Sequence, residues 1–437
     1  MTAQEYVRRR KRLMRRIGDQ AIAIVPSAAQ QHRNRDVDYA FRQDSDLLYL
    51  TGFPEPEAVA VFIPGRQEGQ FVLFCRDRDA AKEIWTGRRA GPQGAVNNYG
   101  ADDAFPITDM DEILPGLLEQ RQRVCYTLGR NTEFDQRLFG WVNQIRSQIR
   151  AGHHAPHEFV SLDCFLHELR LRKSGGELGA MRRAAQISIR AHERAMRVCQ
   201  PGMKEYQIEA EFLHEFRLAD AVPAYPSIVG GGANACILHY TENADVLHDG
   251  DLVLIDAGAE YQGYASDITR TFPVNGRFSP AQRDLYELVL STQRAALTKV
   301  RPGNYWNDPH EAAVKVLTKG MVELGLLKGQ PAKLIKEGAY RRFYMHRTGH
   351  WLGLDVHDVG DYRRGEGWRL FEPGMTLTVE PGIYIPQGGK GVSRRWWNIG
   401  IRIEDDVLVT REGHEVLTAA LPNDPDAVET LMASSPV

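Results

Sequence analysis

Two helix breaks, Pro201-Gly202 and Pro302-Gly303, lie 101 residues apart, and the sequence around each follows the same order. A helical stretch ends at the first break and another runs over Tyr206–Leu218. Ser279-Pro280 has N-cap and first-turn character and opens a helix toward Val300, and Asp308-Pro309 opens the next. Apolar, strand-like runs follow each pair: Leu252–Ile255 after the first, Leu377–Val379 and Ile399–Val409 after the second. A chain that repeats helix, break, helix and strands folds as two like halves. Two halves facing one another leave a cleft, a usual place for a site. Upstream the pattern differs: the short apolar runs Ala21–Val25, Val59–Ile63 and Phe71–Phe74 alternate with helical stretches such as Met110–Gln120. Gly and Ser interrupt the chain at Lys173-Ser174-Gly175-Gly176. The sequence therefore predicts an α/β N-terminal domain over residues 1–173 and an α+β domain with a pseudo-twofold repeat over residues 174–437.

Charge and composition exclude several classes of function. Lys and Arg number 54 against 57 Asp and Glu, a net charge of −3, which argues against a polyanion binder. No apolar run approaches the roughly 18 residues that cross a bilayer. The five cysteines (Cys75, Cys125, Cys164, Cys199 and Cys236) are an odd number without a CxxC pair. They point to reduced thiols and a cytoplasmic location. Seven basic residues crowd Arg8 to Arg16, but Thr2 and Glu5 have capping-box spacing and Tyr6, Leu13, Met14 and Ile17 recur at helical intervals. This segment reads as a first helix with a solvated basic face. Gly230-Gly231-Gly232 lacks the Lys-Ser/Thr of a phosphate loop, and the isolated patch Arg394-Arg395-Trp396-Trp397 is too small for a nucleic-acid interface.

The residues that carry chemistry are acids in places where acids are depleted. Asp256 ends the apolar run Leu-Val-Leu-Ile, and Asp267 follows 11 residues later. Leu-Thr-Val-Glu380-Pro and Ile-Arg-Ile-Glu404-Asp each put a carboxylate on a pattern that predicts burial. With His350 they form five candidate ligands. Four carboxylates carry four negative charges, which two divalent cations neutralise when the imidazole is uncharged. Hard oxygen donors favour Mn²⁺, with Co²⁺ or Zn²⁺ as alternatives. Such a pair activates water and polarises a carbonyl, which is the chemistry of hydrolysis. Alternation over Asn398–Glu404 places Gly400, Arg402 and Glu404 on one face. His239, His346 and His357 are candidate proton carriers. His346 and His350 have the i,i+4 spacing of a zinc helix, but Arg347 stands where that motif needs glutamate and Gly349 breaks the helix.

Taken together, the segments resemble the pita-bread metallopeptidases, and within them the Xaa-Pro aminopeptidase (aminopeptidase P) family. The resemblance rests on Leu-Val-Leu-Ile-Asp256-Ala-Gly, Ser-Asp267-Ile-Thr-Arg-Thr, His350-Trp-Leu-Gly-Leu-Asp-Val-His357, Thr-Val-Glu380-Pro-Gly and Gly-Ile-Arg402-Ile-Glu404-Asp. Ile-Leu-His239-Tyr-Thr-Glu-Asn and the N-terminal Phe41–Phe53 segment extend it over nearly the whole chain. It implies a pita-bread catalytic domain in which Asp256, Asp267, His350, Glu380 and Glu404 hold two divalent metal ions, usually Mn²⁺. Glu380 would be the general base on the attacking water, His357 and Arg402 a proton-relay network, and His239 the group that steadies the substrate. His346 and Tyr384 would line a prolyl pocket, and Trp85 would reach the active site of a neighbouring copy in a homo-oligomer, a dimer or tetramer. The N-terminal domain would serve oligomerisation and substrate access. The implied activity is release of the N-terminal residue from peptides with proline second. Prolidase, which cleaves Xaa-Pro dipeptides, shares the ligand set, and a pita-bread protein that only binds is the non-enzymatic alternative. The chain departs from the family pattern at Arg347-Thr348-Gly349, at Asp163, where close relatives carry an arginine, and in the basic stretch 386–397.

Overall fold

Short runs of wholly buried aliphatic and aromatic residues build the sheet of the first unit, Met1–Arg170. The computed structural model describes residues 1–434. Six strands lie in the order Asp103–Pro106, Phe71–Cys75, Val59–Phe62, Ala21–Pro26, Arg123–Cys125 and Glu158–Val160. The central neighbours are antiparallel and the outer ones parallel. Ile22, Ile24, Val61 and Phe74 meet Leu114 of the helix Met110–Leu118 and Leu138 and Trp141 of the helix Thr132–Ser147.

The basic first helix, Ala3–Ile17, departs from the expected solvated face. Thr2 makes no side-chain cap: the Glu5 N–H donates to the Thr2 carbonyl, and the Glu5 carboxylate turns to Arg8 and Arg9. Arg9 and Arg10 are buried, with 2% and 5% of their surfaces exposed. Arg9 donates to the Tyr49 carbonyl at 2.9 Å, and Arg10 donates to the carbonyls of Leu50 and Gly100 at 3.1 and 3.3 Å. Tyr49 and Leu50 close the helix Ser45–Thr51, whose last carbonyls have no partner within the helix. Two of the seven basic residues are therefore structural, and a sequence pattern cannot separate them from their solvated neighbours.

The second unit, Leu171–Val437, carries the repeat. Its break falls between Arg170 and Leu171 because the next residues already pair inside it: Lys173 N–H donates to the Gly374 carbonyl, and the Lys173 ammonium meets the Asp358 carboxylate at 2.9 Å. Helices Gly175–Val198 and Glu205–Leu218 form the first pair, Pro280–Leu297 and Asp308–Glu323 the second. Ser174 with Glu177 and Ser279 with Gln282 close equivalent capping boxes. Gly202 and Gly303 turn the two breaks at φ of +91° and +90°, a region that suits glycine. Strands Ile228–Gly231, Leu252–Asp256 and Thr269–Pro273 form an antiparallel sheet behind the first pair. In the second half Thr376–Val379 pairs with Asp405–Val409, and Gly382–Ile385 pairs with Ile399–Arg402. The continuous strand expected over Ile399–Val409 is thus two strands, because the run changes partner at Ile403-Glu404.

His192 shows how tightly the first half is closed. It is wholly buried in the helix Gly175–Val198, edge-on to Phe212 at 4.7 Å, with Nε2 3.0 Å from the Ala257 carbonyl oxygen. Burial pulls its pKa down to about 3, so the folded protein keeps the ring neutral. The unfolded chain takes up that proton below about pH 6.5, so stability falls as pH drops through the interval between the two values. A His192→Gln variant is expected to show a shallower decline of Tm between pH 6.5 and 4, followed by tryptophan fluorescence. An unchanged slope contradicts the assignment.

Candidate metal centre

Backbone pairing brings the five candidate ligands together. Asp256 ends its strand opposite Thr269, and Asp267 stands two residues before Thr269. The carbonyl of His350 accepts from Thr378 N–H, and Glu380 N–H donates to the Thr348 carbonyl, so these two ligands face one another across a backbone ladder. Glu404 sits at the change of partner, its N–H donating to the Thr269 carbonyl at 3.1 Å. Donor atoms of Asp267, His350 and Glu404 lie within 4.8 Å of one another. His350 Nε2 is 3.3 Å from Asp267 Oδ2 and 3.8 Å from Glu380 Oε1. Its Nδ1–H donates to the Trp351 carbonyl at 2.9 Å, which turns Nε2 toward the carboxylates. Two acids come from the first half, two from the second, and all five ligands line one cavity of about 720 Å³.

The electrostatics show what the cluster lacks. Burial raises the pKa of Glu380 to about 7, against the pull of His350 and Arg402. Burial, then the charges of Asp267, Glu380 and Asp256, pushes Glu404 well above the carboxylate range. Desolvation opposes a charged His350, yet hydrogen bonding and charge from Asp267 lift it to about 9. Each of these shifts draws protons into a pocket with too much negative charge. Oxygen-rich donors, one imidazole held in orientation by its Nδ1 hydrogen bond and unbalanced charge fit divalent metal ions.

The remaining predicted residues fall into three positions. His239, His346, His357 and Arg402 line the same cavity as the ligands. The His357 ring packs edge-on to His350 with centroids 4.2 Å apart. Arg402 Nη2 donates to Asp256 Oδ2 at 2.5 Å, Nη1 to the Tyr384 hydroxyl and Nε to Thr269 Oγ1, both at 3.0 Å. Arg402 therefore reaches Glu404 through Thr269, whose hydroxyl donates to Glu404 Oε2 at 2.6 Å. Tyr384, expected at the substrate, is instead fully buried behind the wall, its hydroxyl between Arg402 and His346 Nε2. It holds those side chains and does not itself face the cavity. Trp85 belongs to the helix Ala80–Thr86 of the first unit and is 87% exposed.

Sequence reasoning missed three groups that orient the ligands. Tyr225 shares its hydroxyl proton between Asp256 Oδ1 at 2.7 Å and Asp267 Oδ1 at 2.6 Å. Thr269 is the second, and its place two residues after Asp267 was a usable signal. Asp406 is the third: it accepts from Ser266 Oγ and Asp267 N–H, and burial raises its pKa. Tyr225 lies in a loop with no pattern to mark it. Since groups that orient metal ligands contribute roughly 10–100-fold to affinity, Tyr225→Phe is expected to weaken Mn²⁺ binding by about tenfold, read by calorimetry. Unchanged affinity removes Tyr225 from that role.

Comparison with known proteins places this geometry. Residues 179–411 match Metallopeptidase family M24, and residues 6–126 match Aminopeptidase P, N-terminal domain. Xaa-Pro aminopeptidase of Escherichia coli (strain K12) is 44% identical over 437 residues, covering 100% of this chain and 99% of the relative. The structure of Pseudomonas aeruginosa aminopeptidase PepP superposes with a TM-score of 0.98 at 58% identity, covering 99% of this chain and 98% of that one. Zn-substituted E. coli aminopeptidase P in complex with product gives 0.96 at 44% identity over 99% and 98%. The second unit has the pita-bread fold, the first is an aminopeptidase P N-terminal domain, and the chain belongs to metallopeptidase family M24.

Proposed function

We propose that the protein hydrolyses the first peptide bond of peptides with proline in second position, releasing the N-terminal residue. The observation that carries this reading is one cavity lined by four carboxylates, His350, three further histidines and a buried arginine. Full-length likeness to Xaa-Pro aminopeptidase supports the substrate class. Asp256, Asp267, His350, Glu380 and Glu404 would hold two divalent ions, Mn²⁺ first among them by the hardness of the donors. When bound, such ions lower the pKa of water and polarise a carbonyl.

The chain's own residues do the rest. Glu380, on the cavity wall beside His350, takes the proton of the attacking water. Arg402, fixed by three hydrogen bonds, holds Asp256 and passes order to Glu404 through Thr269. His357 stands against the ligand His350, and His239 donates to the carbonyl oxygen of the scissile bond as it gains charge. A bond to proline has no N–H for strand-like recognition, so the ring itself must be read. His346 suits this: both its ring nitrogens are occupied, by the Arg347 carbonyl and the Tyr384 hydroxyl, and burial lowers its pKa to about 3. It offers the pyrrolidine ring an uncharged face, with Tyr384 bracing it from behind. The exposure of Trp85 supports its use by a second copy of the chain in a dimer or tetramer. The N-terminal unit would then serve assembly and access. The cysteines are unpaired, which supports a cytoplasmic location, and among the described residues no helix is long and apolar enough to cross a membrane.

The Mn²⁺-loaded protein is expected to cleave Xaa-Pro-Yaa tripeptides and spare Xaa-Ala-Yaa controls. Cleavage of Xaa-Pro dipeptides alone would instead identify a prolidase. Glu380→Gln keeps the shape and removes the base, so kcat should fall by at least about 100-fold while the far-ultraviolet circular dichroism is retained. Activity close to wild type refutes the role of Glu380.

A further inference from the structure

One cation on the cavity wall has no part in the chemistry above. Arg347 lies between His346 and the ligand His350 in sequence, and its side chain lines the cavity. The guanidinium sits over the ring of Trp368 at 5.3 Å and donates through Nη2 to Asn307 Oδ1. Trp368 is in turn covered by Arg363 at 4.2 Å, within the hairpin Arg363–Arg364 and Gly367–Trp368. Among the described residues no carboxylate pairs with Arg347, and the cavity's own acids are committed elsewhere: Asp256 to Arg402 and Tyr225, Asp267 to Tyr225 and His350, Glu380 to Thr378 and His350, Glu404 to Thr269. The side chain stays exposed; its partial desolvation and the nearby Arg341 and Arg363 work against its charge, while Tyr344 and Tyr340 support it.

An accessible guanidinium on the cavity wall, held over Trp368 by stacking and without a counter-charge, is a preformed receptor for a carboxylate. Its backbone adjoins His346, which puts it on the side of the scissile bond where proline and the residue after it lie. An extended peptide advances about 3.5 Å per residue, so the carboxylate of a residue following proline comes within the span of an arginine side chain. We propose that Arg347 is a specificity-determining residue that receives a carboxylate on the residue after proline. That carboxylate is the free C-terminus of a tripeptide or an acidic side chain in a longer one. This rests on the Xaa-Pro reading of the same cavity. A purely structural Arg347, one that only braces Trp368 and Asn307, would serve charged and uncharged substrates alike.

The test separates these roles by pairing substrates inside each variant. Gly-Pro-Leu is compared with its C-terminal amide, and Gly-Pro-Asp-Ala amide with Gly-Pro-Ala-Ala amide, as kcat/KM for the Mn²⁺-loaded wild type, Arg347→Gln and Arg347→Lys. Charge-assisted hydrogen bonds of this kind predict a preference for the carboxylate partner of about tenfold or more in the wild type, expressed mainly in KM. The preference should collapse toward unity in Arg347→Gln and be kept in part by Arg347→Lys. Collapse in the first pair alone assigns the C-terminus as the ligand, and in the second pair alone the acidic side chain. Calorimetry with the dipeptide Pro-Leu and its amide gives a readout independent of turnover, with the same collapse expected. A wild-type preference that survives in Arg347→Gln, or no preference in the wild type, overturns the proposal. If the wild type cleaves none of the four peptides, the Xaa-Pro reading falls and this inference with it.

Discussion

Four carboxylates held inside one cavity by backbone that cannot move them are the constraint on which the rest of the second unit depends. Asp256, Glu380 and Glu404 sit at the end of a strand or at a change of partner and Asp267 just before a strand, so their positions follow from ladders that also bind the two half-cores. Moving an acid into a low-dielectric space is costly unless charge of opposite sign meets it. Arg402 supplies one such charge to Asp256, and Tyr225, Thr269 and Thr378 supply hydrogen-bond donors. The remainder of the charge is left for ions to meet. The fold thus holds the carboxylates in a conformation whose electrostatic cost is recovered when the site is filled.

The two halves divide this work unequally. Both begin with a serine-capped helix and break at a Pro-Gly turn, and both deliver two acids. Only the second adds His350, whose backbone is held by Thr378 and whose imidazole is held by the Trp351 carbonyl. The first half answers with Tyr225, which ties its two acids to one hydroxyl. Similar backbones therefore carry different side-chain roles, and one asymmetric centre occupies a nearly symmetric frame.

Much of this was legible in the sequence, for a physical reason. Asp256, Glu380 and Glu404 stand out because charge on an apolar strand pattern is an anomaly that demands an explanation, and Pro-Gly breaks with serine caps mark a repeat without any knowledge of packing. What could not be read shares a different property. Arg9 and Arg10 look like solvated charge because a helix shows only its period, not what covers it. Tyr225 lies in a loop, where nothing periodic points to a partner 31 residues away. Alternation over 399–409 runs on through Glu404, so the change of partner there is invisible until the two partner strands are known. Tyr384 is placed at the pocket by the family resemblance alone, and only tertiary packing puts its ring behind the wall.

That change of partner at Ile403-Glu404 has a consequence for how such chains can diverge. Residues 399–402 and 405–409 belong to different ladders, and the short join between them sets both the arginine on one side and the glutamate on the other. Loops elsewhere in the unit can lengthen or shorten at little cost. A single residue gained or lost between Arg402 and Asp405 would slip one ladder against the other, and every side chain beyond it would change face. The segment is a junction whose length is fixed, and homologues of altered length should carry their insertions elsewhere.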